Sequence, residues 1–249
     1  MAANAEARRR AHHLPRTSVL TAAALLAAAW GHTPVARAGE IQSAYYAAPT
    51  DRYAHGVLGD AIEYGALVIT SADGKSVRAD LPENLVFEDV APRLWDVTGD
   101  GAPEVIVVEA DQRRGARLAI WTREGRLAAT PFIGTRYRWL APVGAADFDG
   151  DGAIEIAYVD RPHLAKTLRI WRLSGRRMVE VASARGVSNH RIGWNYIEGG
   201  VRDCGRGPEM VLASGDWRRV VIARLGRSLR LDEAGPYSPS AVKSALDCR

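Results

Sequence analysis

The chain has 249 residues, 33 Lys and Arg against 29 Asp and Glu, 47% hydrophobic composition and two cysteines. Five of the basic residues (Arg8, Arg9, Arg10, Arg16, Arg37) and one acid (Glu6) fall within residues 1–38, so the remainder carries 28 of each sign. A neutral remainder argues against a nucleic-acid partner, and two lone cysteines lack the ligand spacing of a zinc site.

The first expected element is the uncharged, Ala- and Leu-rich stretch from Ser18 to Trp30, preceded by arginines and followed by Ala36-Arg37-Ala38. That layout predicts a cleaved secretory signal peptide over residues 1–38. The apolar stretch is well short of the roughly 20 residues that span a bilayer, and no second candidate follows, so no stable membrane insertion is expected. The predicted location is periplasmic or secreted. In such a compartment two thiols usually pair, which predicts a Cys204–Cys248 disulfide closing the last unit.

Residues 39–249 repeat. Asp96-Val97-Thr98-Gly99-Asp100-Gly101-Ala102-Pro103-Glu104 aligns with Asp147-Phe148-Asp149-Gly150-Asp151-Gly152-Ala153-Ile154-Glu155 at an offset of 51. Leu118-Ala119-Ile120-Trp121 aligns with Leu168-Arg169-Ile170-Trp171 at an offset of 50. Degenerate copies lie at Ala66–Thr70 and at Pro208–Leu212 with Val220–Ala223, giving units of about 45–90, 91–142, 143–195 and 196–249. Within a unit, β-branched and aromatic runs separated by Gly, Pro and Asp predict four strands, for example Arg93–Val97, Glu104–Glu109, Arg117–Thr122 and Arg126–Phe132. A four-stranded unit at this period reads as a propeller blade, so the expected fold is a small all-β propeller of about four four-stranded blades in a single domain. Trp121 and Trp171 are expected to pack between blades.

The Asp147 loop places acids at positions one, three, five and nine (Asp147, Asp149, Asp151, Glu155), with the Ala153 carbonyl as a further oxygen. This donor set suits calcium. The Asp96 loop keeps Asp96, Asp100 and Glu104, with the Ala102 carbonyl in the matching place, but has Thr98 at its third position, so its affinity should be lower. An EF-hand is excluded because position twelve is Tyr158.

These loops resemble the FG-GAP or VCBS repeat, the unit of propeller blades in the head of integrin α chains. The resemblance covers about residues 50–235 and is strong in the two middle units. It implies that Asp147, Asp149, Asp151 and Glu155 ligate a structural calcium through their side chains, with Asp96, Asp100 and Glu104 doing the same in the preceding unit.

Strand alternation puts the acidic loops at one end of the ring and the second-to-third hairpins, with the connections between blades, at the other. That second end should gather Arg113 and Arg114; Arg136, Tyr137 and Arg138; Asp160, Arg161 and His163; His190 and Arg191; and Arg218. Guanidinium groups and aromatic rings together suit an anionic or sugar-containing ligand, so a protein or glycan partner is expected there. After the signal peptide only His55, His163 and His190 remain, and no nucleophile elbow, zinc-protease helix or phosphate loop is present. The leading expectation is a non-enzymatic binding or scaffold module. The alternative is a hydrolase or lyase at the ring's open end, with His163, His190 and Asp160 as acid or base.

Overall fold

The computed structural model describes residues 39–249; the expected signal peptide lies outside them. The described chain is all-β, with one short helix, and belongs to one compact unit. No helix among the described residues is long and apolar enough to cross a membrane.

The two middle copies fold as antiparallel meanders. The first runs β5 (Arg93–Trp95), β6 (Glu104–Asp111), β7 (Gly115–Thr122) and β8 (Gly125–Ala129). The next runs β9 (Leu140–Ala146), β10 (Glu155–Asp160), β11 (Thr167–Ser174) and β12 (Arg177–Arg185). Both carry a bulge at one repeated place, between Ile120 and Trp121 and between Ile170 and Trp171, which increases the local twist of the sheet.

Successive side chains of a strand point to opposite faces, and here both faces are covered. Val105 and Val107 pack toward the preceding unit, while Ile106 and Val108 pack toward the following one. This double burial is why β6 and β10 are nearly continuous apolar runs, each buried Val or Ile contributing roughly 1.5–3 kcal/mol. Trp121 sits in the layer with Phe87, and Trp171 in the next layer, stacked near Tyr158.

The outer copies depart from one separate four-stranded sheet per unit. The first supplies β1 (Ile41–Thr50), β2 (Glu63–Ser71) and β3 (Ser76–Asp80). Its β2 joins β4 (Leu85–Phe87) through the Tyr64–Phe87 pair, so the first two units share an eight-stranded sheet. Arg52 donates to the carbonyl of Leu85, which pairs with Asp111 at the hairpin end of β6, so residues 51–62 lie at that end. They form a long second-to-third hairpin, and β1 takes the place of a second strand. Among the described residues no strand pairs with the other edge of β1.

Two inner strands are interrupted. Both β4 and β5 pair with β6, with residues 88–92 leaving the ladder between them. In the last unit β13 (Val187–Ser188) and β14 (Gly200–Asp203) both pair with β15 (Pro208–Ser214), with residues 189–199 between. The unit continues with β16 (Arg219–Arg224) and β17 (Arg230–Pro236). It ends in α1 (Pro239–Leu246), an element the sequence pattern did not foretell. Ser238 caps α1 by accepting the Ala241 N–H, and Pro239 opens its first turn. The helix lays Val242 and Ala245 on Val211, Val220 and Ile222, the face of the last sheet turned away from the third unit. The Cys204–Cys248 disulfide is present and joins the end of this helical segment to the loop before β15.

Candidate functional site

Five segments at the hairpin end converge. Residues 51–62 bring His55, residues 88–92 begin with Glu88, the β8–β9 connection brings Tyr137, Arg138 and Trp139, the β10–β11 hairpin brings Arg161 and His163, and residues 189–199 bring His190. They enclose a cavity of about 270 Å³ lined by His55, Tyr137, Arg138, Trp139, Arg161 and His163, with Val57, Leu164 and Ile192 among its apolar walls. Two of these loops meet directly: Gly193 donates to the Val57 carbonyl at 3.1 Å, and a Cβ on Gly59 would stand 2.9 Å from the Gly193 oxygen.

The histidines are held by directional contacts. His55 Nδ1 meets Glu88 Oε1 in a short contact, and the His55 ring stacks on Tyr137 at 5.1 Å. Trp139 Nε1 donates to the Glu88 carbonyl at 2.8 Å. His190 Nε2 lies 2.8 Å from the Trp194 carbonyl, and His163 Nε2 lies 3.0 Å from His190 Nδ1. Since a carbonyl only accepts, His190 Nε2 carries the proton. A neutral His190 then accepts at Nδ1, so His163 donates from Nε2 and its Nδ1 is left bare.

Burial lowers all three imidazoles. His55 falls to about 4, helped by the Arg138 charge, His163 falls to about 4, helped by His190 and His55, and His190 is also lowered. Glu88 moves the opposite way, raised well above the usual carboxylate range by burial and then by Asp89. Its Oε2 is buried without a hydrogen bond, which a neutral carboxyl tolerates better than a carboxylate. Tyr137 and Arg161 are held in the left-handed region, at φ 56° and 47°. That conformation costs a non-glycine residue roughly 1–2 kcal/mol, and both side chains line the cavity.

Of the residues expected at this end, Tyr137, Arg138, Arg161 and His163 line the cavity and His190 stands behind His163. The others lie apart. Arg113 and Arg114 border a separate depression with Asp111, where Arg114 pairs with that acid at 2.8 Å and rests over Phe132. Arg136 stacks on Tyr137, and Asp160 is engaged by Arg161 and Arg169. Arg191 lies over Trp217 at 4.4 Å, and Arg218 stands 3.6 Å from Asp216. His55 and Glu88 were missed as site residues. The signal for Glu88 was an acid pair, Glu88-Asp89, closing the apolar run Leu85-Val86-Phe87.

At the opposite end, both acidic loops are shaped by their first residue. Asp147 accepts from the N–H groups of Gly150, Asp151 and Gly152, and Asp96 from those of Gly99 and Gly101. Positive φ at Gly150 and Gly152 (78° and 90°) permits this winding.

The family model described as an FG-GAP-like repeat matches residues 96–158, from the first acid of one loop to Tyr158, beyond the last acid of the other. Residues 96–158 thus form an FG-GAP-like repeat. No curated protein matches the chain.

The second FG-GAP loop fits a cation by donor type: Asp147, Asp149 and Asp151 each offer an oxygen, all within 4.8 Å of one another. A protein cation already competes for it. Arg172, projecting from β11, bonds Asp151 at 2.8 Å and Asp149 at 3.1 Å, and also grips Glu155, whose other oxygen accepts the Phe148 N–H. The first FG-GAP loop fits less well. Thr98 donates its hydroxyl to Glu104 at 3.1 Å, and Asp96, Asp100 and Glu104 do not converge to the same degree. In the last unit the matching glutamate, Glu209, is held by Arg202 and Arg224.

Proposed function

We propose that the chain is an exported FG-GAP module whose stacked sheets make a small propeller of about four blades, and that it binds a small anionic ligand at its hairpin end. The observation that carries this reading is Arg138. Arg138 is half-buried in the cavity wall, and among the described residues its guanidinium bonds only the neighbouring Tyr137 carbonyl, at 2.9 Å, and has no carboxylate partner. With the histidines neutral, and with Arg161 and its neighbour Arg169 matched by Asp160 and Glu180, the cavity wall carries one uncompensated positive charge. A cavity of 270 Å³ lies just below the range of about 300 Å³ and more typical of drug-sized ligands. Its size, with Tyr137 alongside, suits a single acidic sugar ring or a ligand of similar bulk.

Titration of the protein with galacturonate and with galactose tests this. Galacturonate should bind and galactose should bind more weakly. Arg138→Gln should weaken the acid's binding about 10- to 100-fold, as expected for loss of a charge-assisted hydrogen bond. Equal binding of the two sugars, or no effect of Arg138→Gln, would refute the reading.

Calcium at the Asp147 loop completes the proposal as a structural cofactor. It would be held by Asp147, Asp149, Asp151, Glu155 and the Ala153 carbonyl, with Arg172 displaced outward. Saturating calcium at a hundredfold excess over Kd should add about 2.7 kcal/mol of stability, and Arg172→Gln should tighten binding by removing the competing cation. Calorimetric titration of both proteins checks this; an unchanged affinity in the variant would show that the arginine does not occupy the ion's place.

A further inference from the structure

Resting on the anion-binding reading, we propose that the same cavity is a proton-transfer site catalysing β-elimination on a sugar carboxylate, with His163 as the base and His55, backed by Glu88, as the proton donor.

The assignment follows from which nitrogens are free. His163 bonds His190 Nδ1 through Nε2, and the His190–Trp194 chain fixes the proton on that nitrogen, which leaves the lone pair on Nδ1. His163 is part of the cavity wall. His55 differs because its Nδ1 faces a carboxyl that burial keeps protonated, so the shared proton stands between Glu88 and Nδ1 and the remaining ring proton stands on Nε2. The Glu88 contact is made by Nδ1, so Nε2 is not taken up by it, and His55 lines the same cavity as Arg138. The cavity thus offers one base, one proton donor and one unpaired cation.

Those three parts match the needs of a carboxylate with an alkoxy group on the β carbon. Arg138 would neutralise the carboxylate, which acidifies the adjacent C–H. His163 Nδ1 takes that proton, the C–H electron pair becomes the new C=C bond, and the β C–O bond breaks with its pair on oxygen. The oxygen takes the proton from His55 Nε2 as the Glu88 proton passes to Nδ1, leaving Glu88 as a carboxylate and His55 neutral. Solvent then returns a proton to the Glu88–His55 pair and removes one from His163, so no oxidant or other co-reactant is required. Glycoside hydrolysis fits less well, because it uses two carboxyl groups flanking the bond. Here Asp160 is locked between Arg161 and Arg169, and Glu88 lies behind His55.

The test uses the whole protein with short oligogalacturonates and oligoglucuronates, read by ultraviolet absorbance of the conjugated product and by deuterium uptake at the carbon next to the carboxylate in heavy water. Product and exchange are expected. His163→Gln should lower both about 100- to 10,000-fold, the usual worth of a general base. His55→Gln should lower product formation while leaving exchange measurable. Glu88 is a positioning residue, so Glu88→Gln should shift the pH profile of elimination rather than only scale it. Each variant is compared with the parent by melting temperature and by galacturonate binding, so that a folding defect is recognised. Binding without product or exchange overturns the elimination alone; absence of binding to any uronate overturns it together with the anion-binding reading.

Discussion

Unfolding free energy should peak near pH 6.5 and fall on both sides, because the groups around the cavity refuse the protonation states they adopt in an unfolded chain. On the acid side, His55 and His163 are lowered from 6.5 to about 4. Above pH 6.5 both states hold them neutral. As pH falls from 6.5 toward 4 the unfolded chain takes up protons that the folded one rejects, and stability is lost at about 1.4 kcal/mol per pH unit for each. His190 acts in the same sense. On the alkaline side the leading group is Glu63, at the start of β2, only 3% exposed and raised from 4.5 to about 9 by burial and then by Glu88, Asp60 and Asp89. It contributes fully below pH 4.5 and loses that contribution as pH rises to 9, with Glu88 moving the same way. Just below 6.5 the three imidazoles outweigh the two carboxyls; above 6.5 the carboxyls act alone, and between 6.5 and 9 Glu63 by itself costs roughly 3 kcal/mol. Urea denaturation across this range should show the peak, and Glu63→Gln should flatten the alkaline limb and stabilise the protein at pH 8. An alkaline limb of unchanged slope in the variant would mean that Glu63 titrates in the fold as it does in the open chain.

The repeat was legible because its information is local. An Asp at the head of each loop accepts N–H groups three and five residues on, two glycines supply the positive φ, and the strand that follows must be apolar on both faces. Those requirements act within a dozen residues and survive in the sequence as a pattern. The cavity is different in kind. His55 and Glu88 are 33 residues apart, and they meet because residues 51–62 form a hairpin at the same end where β4 breaks off and residues 88–92 leave the ladder. Nothing in the periodicity records such a break. The expectation that second-to-third hairpins and connections share one end did place Arg138, Arg161 and His163 together, since it rests only on strand alternation. Helix α1 escaped notice for a third reason: eight residues with two buried positions are too few for a 3.6-residue period to stand out.

Replacing both Cys204 and Cys248 by Ser should cost roughly 2–4 kcal/mol and release α1 before the sheets unfold. In a stack of sheets the last one has an apolar face with no sheet to cover it, and here that face is Val211, Val220 and Ile222 under Val242 and Ala245. An isolated helix of eight residues is not stable in water, because nucleation is unfavourable and few bonds follow it. Its place is therefore held from both ends: Ser238 caps the first turn, Arg202 bonds the Ala245 carbonyl, and the disulfide ties Cys248 to the loop before β15. Cross-linking residues 44 apart restricts the unfolded chain by about 4 kcal/mol in the loop-entropy view, an upper figure for the loss. Hydrogen exchange should lose protection over residues 239–246 first, while β6 and β10 remain protected. The effect should also reach the cavity, because Tyr237, just before α1, donates its hydroxyl to Glu198 at 2.6 Å, and Glu198 lies in the same loop as His190. A loosened residue 237 leaves that loop less restrained, so galacturonate binding should weaken in the double variant even where the protein is folded. Full protection of α1 together with parental affinity in the Cys204→Ser, Cys248→Ser protein would show that apolar contact with β15 and β16 alone secures the helix, and that the disulfide has no bearing on the site.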